Sequence, residues 1–515
     1  MSPTPGSLCL CANTAEDLET LVATGRVRGV SGDRVQNLLN RIERELEPLA
    51  TKEALARWRW WTHPDSASKA RYLAAREEKR AYLAQGSLGR EIDAALSGAG
   101  EALHPLFRRQ AELIRRLFFR HQVVPEVGAR INALEVELEA MRARVPEVDP
   151  VPACLGLSGS GASEEALETA VAAGRAAAPV LVELVRLRNK VAQSLGYADY
   201  YELSLRLNDA EEKRVFAALS RLEKETEPAV RKLKAERPPG VEAIHSLFAG
   251  QDLTCVAGRY FDAIGLAVDR VLARSDLGGG GETFGRPLCI DIDRAGDVRI
   301  AAKLSPGFEG ALRLLHFLGR AVYRLNIASE LPYTLRRPAH AVTDVAAALI
   351  FERRLFDGRW LAEWADTEVP SGCSWLEGLA ALERFWRACS VRWGVALAHF
   401  ERELYRDPAA DLDGLWEKLL DKHVGIQPPW RFESVWASLS AIGEEEVVSY
   451  TGPLAEAASS ALAAAIEEEL GGGALSVSPA AGYLLIDKWF LHGARYPWGE
   501  LIMRVGGGRA ERGLE

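Results

Sequence analysis

The chain has 515 residues, 48% hydrophobic and 26% charged, with a formal net charge of −9. That length holds one large domain or several, and the composition is that of an ordinary globular protein with a substantial core. The acidic balance argues against a sequence-blind nucleic-acid binder, which needs a basic excess.

The opening "MSPTPGSLCLCANTAED" has neither the basic region nor the apolar stretch of a signal peptide, and no later apolar run is long enough to span a bilayer. A cytoplasmic protein without membrane contact is expected. Seven cysteines, an odd count with no C-x-x-C, fit reduced thiols, and Cys9 and Cys11 are too isolated for a metal site. "AEDLETLVATG" (15–25), "RVQNLLNRIERELEPL" (34–49) and "ARINALEVELEAMRARV" (129–145) space apolar residues three and four apart, which predicts amphipathic helices. The cluster "WRWW" (58–61) is read as helix-packing core, with a binding groove as the alternative. "FRRQAELIRRLFFRH" (107–121) is read as a helix with a solvated basic face.

Proline, glycine and serine break the pattern over 145–165, and helix resumes to a C-cap glycine at Gly196. The glycines 278–281 lack a phosphate-loop ending and read as a loop. "PLCIDIDRAGDVRIAAKL" (287–304) alternates on both sides of "DRAGD", which predicts a β hairpin. Helix then returns to about residue 470. In "LLHFLGRAVY" (314–323), His316 and Arg320 stand one helical turn apart in an apolar run, so both leave the same face. An arginine there requires a partner.

Four phrases in order, "LVRLRNKVAQSLGYADYYELSLRL" (184–207), "CIDIDRAGDVRI" (289–300), "LPYTLRRPAHAVT" (331–343) and "HGARYPWGELI" (492–502), resemble segments of the helical zinc peptidases. That group includes oligoendopeptidase F, thimet oligopeptidase and, more distantly, angiotensin-converting enzyme. The resemblance covers roughly residues 160–505. It implies a mainly α, two-lobed, peptidase-like fold with a deep central channel and a small antiparallel β hairpin near the cleft. The chain is then a single domain over 1–515, with approximate lobes 1–250 and 251–515, the second carrying the metal-site helices.

The group binds zinc through H-E-x-x-H on one helix and a glutamate on the next, the motif glutamate acting as general base. Aligned on that motif, His316 matches the first ligand, Phe317 stands at the base and Arg320 at the second ligand. Phenylalanine takes no proton and guanidinium is a permanent cation. The ungapped count puts the third ligand at Val345, and a one-residue shift puts it at Asp344. The group's oxyanion-stabilising histidine and tyrosines align with Ala441, Val448 and Ser449, with Tyr450 nearby but out of register.

Zinc is therefore expected to be absent and peptide hydrolysis lost. Arg320 is expected to occupy the vacated metal position, paired by Asp344 or, second, Glu352. Arg336, Arg337, His340 and Tyr450 are candidates to hold a ligand. The favoured function is an inactive pseudo-peptidase whose channel binds a peptide or partner protein. The alternatives are a repurposed metal-free enzyme acting on a small molecule, for example in a biosynthetic pathway, and a metallopeptidase with a non-standard site.

Overall fold

The structure is a computed structural model and describes residues 30–99, 103–143, 145, 164–235, 247–248, 250–278, 284, 286–364, 373–425, 433–444, 446–471 and 475–508. Segment 15–25, Cys9, Cys11, nearly all of 145–165 and glycines 279–281 lie outside them. The chain is mainly α, and the described residues form one small antiparallel sheet of two strands. No described helix is long and apolar enough to cross a membrane. Cys255, Cys289 and Cys389 are free thiols.

Helix Val30–Thr62 buries Val35, Leu38, Leu39, Ile42 and Leu46, its three-and-four stripe, against Leu83, Ile92, Phe107 and Phe118 from the next helices. The adjoining helix Ser66–Leu83 starts on a reciprocal cap: Asp65 accepts from the Ser68 amide at 2.6 Å, and the Ser68 hydroxyl accepts from the Asp65 amide at 3.1 Å. Helix Glu164–Ser194 ends as its sequence predicts. Gly196 takes a φ of 90°, and the Tyr197 amide donates back to the Ala192 carbonyl at 3.0 Å. A residue with Cβ is strained at that φ.

The largest core runs without a break from Leu134 to Ile502. Helices Tyr200–Leu207 and Glu212–Ala235 share it with Phe308–Leu325 and Cys373–Arg406, so this core draws on residues before and after 250. A smaller, separate cluster lies earlier in the chain, from Val35 to Phe118. The helix Pro105–Arg120 corrects the reading of 107–121 as a solvated basic face. Arg109 is buried and pairs with Asp209 at 2.7 Å, and Arg116 reaches the same carboxylate at 2.6 Å. Charge spacing alone does not reveal a distant aspartate that neutralises two arginines of one face.

The hairpin pairs Leu288–Asp291 with Val298–Ala301, in the register Leu288 to Ala301 and Asp291 to Val298. Its period of two sends Leu288, Ile290 and Ile292 toward Trp60 and Trp61, while Cys289 joins the main core. "WRWW" is thus core in two of its tryptophans, and Trp61 also borders the cavity described below. Glu43 ties the same long helix to the segment after the site helix. It accepts from the Tyr333 and Thr334 amides at 3.0 and 2.8 Å.

Candidate functional site

Two helices, Phe308–Leu325 and Ala341–Glu352, build a polar seam. They approach backbone to backbone because residue 319 is glycine. A Cβ there would lie 2.8 Å from Ala348 Cα and 2.9 Å from the Ala347 carbonyl oxygen. His316, Arg320 and Arg324 form a row at four-residue spacing on the first helix, and Asp344 and Glu352 stand two turns apart on the second.

His316 Nδ1 lies 2.8 Å from Glu352 Oε2. Arg320 donates from Nε to Asp344 Oδ2 at 2.7 Å, its Nη2 is also 2.7 Å away, and Arg324 Nη2 reaches the same oxygen at 2.9 Å. Burial by itself would raise the Asp344 carboxyl; the two guanidiniums outweigh it and hold it below the usual carboxylate range. Phe317 is buried, and Arg320 sits 5.8 Å from its ring centroid. Residue 317 thus presents an apolar ring to the guanidinium beside it.

Asp344 faces Arg320, whereas Val345 packs against the main core. Of these two neighbours it is Asp344 that stands opposite residue 320 in space. The described residues contain no group of three or more His, Cys, Asp or Glu able to hold a metal ion.

Arg320 and Arg324 line a cavity of about 570 Å³. Its other walls come from helices Val30–Thr62, Ser66–Leu83 and Pro125–Arg142, the hairpin strand, and Gly443 with Glu444. Nine basic side chains line it against five carboxylates, with Asp344 behind Arg320 as a sixth. Several are neutralised within the wall: Arg57 by Glu139 at 2.5 Å, Arg76 by Glu135 at 2.6 Å, and Arg188 by Glu135 at 2.6 Å. The Arg188 Nη1 also donates to the carbonyls of Gly443 and Glu444 at 3.1 and 2.8 Å, which fastens that loop. Arg294 donates to the Tyr333 carbonyl at 3.1 Å and lies 4.5 Å from its ring centroid.

The remaining sequence candidates fall elsewhere. His340 caps the second helix, accepting at Nδ1 from the Val342 amide at 3.1 Å. Its Nε2 is 3.1 Å from the Tyr450 hydroxyl, and its ring stacks on Tyr450 and Trp498. With Nδ1 accepting, Nε2 carries the proton and donates to Tyr450. Burial pushes His340 down to about 4, so it stays neutral. Tyr450 is wholly buried. This pair is a core fastening and neither member borders the cavity. Arg336 is half-buried beside the Tyr333 ring, and Arg337 is half-buried with its pKa lowered by burial to about 10. The downstream stretch does reach the cavity, through Gly443 and Glu444 and not through Ala441, Val448 or Ser449.

Sequence reasoning missed most of this basic wall. Only Arg324 had a readable cue, since it continues the His316–Arg320 row by one more turn. No family model matches the chain, and no curated protein matches its sequence.

Proposed function

We propose that this chain is a non-hydrolytic relative of the helical zinc peptidases that uses its cavity to bind a ligand, a peptide or small molecule. The observation that carries the reading is the Arg320–Asp344–Arg324 cluster at the positions where the resemblance places a zinc ligand set. Catalytic zinc takes three protein ligands and an open position. Here a guanidinium stands at one ligand position and already holds the carboxylate that faces it. A divalent cation entering that seam would meet two fixed positive charges. Hydrolysis also needs a base, and Phe317 supplies none.

The cavity volume falls within the range of small-molecule sites, about 300–1,000 Å³. That size suits a metabolite or a few peptide residues better than a folded partner. The competing reading, metal-free chemistry on a small molecule, finds little support in the cavity-wall thiol. Burial pushes Cys289 up, opposite to what a thiolate nucleophile needs.

The test is metal analysis after dialysis without chelator, together with peptide-hydrolysis assays with and without added zinc. The expected result is far less than stoichiometric zinc and background hydrolysis in both assays. Stoichiometric zinc, or hydrolysis that a chelator abolishes, would overturn the reading.

A further inference from the structure

The basic excess of the cavity is not spread evenly. On the Arg320 side each guanidinium touches Asp344. On the wall made by Arg142 and Arg286 no ion pair of that kind is found among the described residues. Arg142, in the last turn of helix Pro125–Arg142, is 3% exposed. Its Nε and Nη1 donate to the carbonyls of Ala437 and Ile442 at 2.9 and 2.7 Å. Its Nη2 is buried without a hydrogen-bond partner among the described residues.

Arg286 lines the same cavity and is half-buried. The Trp61 indole N–H donates to its carbonyl at 2.8 Å, which fixes its backbone. No described carboxylate lies within salt-bridge distance of either guanidinium. The two cations are near enough to act on each other. Burial is the main effect lowering the Arg142 pKa to about 9, Glu444 opposes it, and Arg286 adds to the lowering. Arg142 is still a cation at neutral pH.

Two guanidiniums that repel one another, one of them buried with a free N–H, form an arrangement that costs stability in isolation. Planar N–H forks are matched to carboxylate and phosphate oxygens, and an oxyanion beside both guanidiniums offsets their repulsion. We propose that Arg142 and Arg286 form an oxyanion subsite of the cavity, which takes the phosphate or carboxylate group of a small, multiply charged organic anion. This rests on the reading of the cavity as a ligand site and names the ligand's chemistry. The surplus of basic groups over the whole cavity, these two included, favours more than one negative charge on that ligand.

The test measures thermal stability and calorimetric binding of the full-length protein. The probes are inorganic phosphate, pyrophosphate and citrate, each against sodium chloride at matched ionic strength. At least one of the three is expected to raise the melting temperature above the chloride control, and a preference for pyrophosphate or for citrate assigns the phosphate or the carboxylate class. Arg286→Ala is expected to weaken binding about 10- to 100-fold, the loss of one charge-assisted contact. Arg41→Ala, which removes an exposed ion pair to Glu91, is expected to leave binding unchanged.

Arg286→Glu supplies a second readout. It is expected to abolish the anion response while raising the melting temperature of the ligand-free protein, because the new carboxylate serves Arg142. Equal behaviour of all three anions and chloride would overturn the proposal, as would wild-type affinity in Arg286→Ala. Binding of uncharged, amidated peptides but of no anion would overturn this subsite and leave the ligand-binding reading standing. Anion binding by a protein that also hydrolyses peptides with zinc would support the subsite and overturn the non-hydrolytic reading.

Discussion

Three guanidinium N–H groups converge on one oxygen of Asp344, while its other oxygen is buried without a described hydrogen-bond partner. Removing the charge leaves Arg320 and Arg324, neighbours on one helix, without the carboxylate that neutralises them. Breaking a buried pair costs about 3–5 kcal/mol, and the lower end applies here because the Arg320 side chain is 27% exposed. Asp344→Asn is therefore expected to lose about 3 kcal/mol in urea denaturation. Combining it with Arg320→Met should recover part of that loss. A single-variant loss below about 0.5 kcal/mol would mean that cavity water screens the cluster fully. The sequence showed that Arg320 needed a partner and put Asp344 first and Glu352 second. It left the register of the aligned third-ligand position open between Asp344 and Val345. Adjacent helical positions differ by about 100°, and only the rotation of the second helix against the first decides which one faces inward.

At the scale of elements, the seam depends on Gly319. Replacing a helical glycine with alanine normally gains about 1 kcal/mol. Here the added Cβ would meet Ala348 Cα at 2.8 Å, the Ala347 carbonyl oxygen at 2.9 Å and the Phe351 ring at 2.9 Å, and the first two belong to the backbone of the partner helix. Gly319→Ala is expected to destabilise the protein by about 1–3 kcal/mol, as overpacking does, and to weaken the Arg320–Asp344 pairing by spreading the helices. Chemical denaturation checks the sign, and a stabilised variant would show that the helices can part without loss. The helices themselves were legible because amphipathic periodicity is local. The hairpin at 287–304 was legible for the same reason, through alternation and a turn. The helix Pro105–Arg120 was misread because Arg109 and Arg116 are neutralised by Asp209, about a hundred residues later in the chain.

For the whole molecule, stability and the cavity wall are coupled through Glu401. This residue is wholly buried, and its Oε1 accepts from the Gly443 amide at 2.8 Å, on the loop that closes the cavity. Burial pushes its carboxyl up to about 7, from 4.5. A raised folded pKa means that the folded state holds an extra proton between those values. That contribution is fully present below about pH 4.5 and is lost as pH rises through about 7. Its size is roughly 3 kcal/mol. His340 acts in the opposite sense: buried and held down to about 4, it favours the folded state at neutral pH and loses that effect as pH falls from 6.5 to about 4. Comparing Glu401→Gln with wild type isolates the carboxyl. The variant is expected to match wild type near pH 4 and to gain stability relative to it by roughly 2–3 kcal/mol at pH 8. A pH-independent difference would mean that the carboxyl ionises freely in the fold.

The sequence by itself determined the helical class, the place and turn of the hairpin, the Gly196 helix end, and the shared face of His316 and Arg320. Each of these follows from neighbours within one or two turns, where backbone geometry is set locally. The tertiary structure decided which carboxylate meets Arg320, that His340 and Tyr450 fasten each other inside the core, and that the largest core crosses residue 250. It also gathered nine basic side chains from separate elements around one cavity and left Arg142 and Arg286 without a carboxylate at salt-bridge distance among the described residues. Charge balance in a cavity is a sum over residues distant in sequence. No spacing rule along the chain contains that sum, because it forms only when the helices close around a common volume.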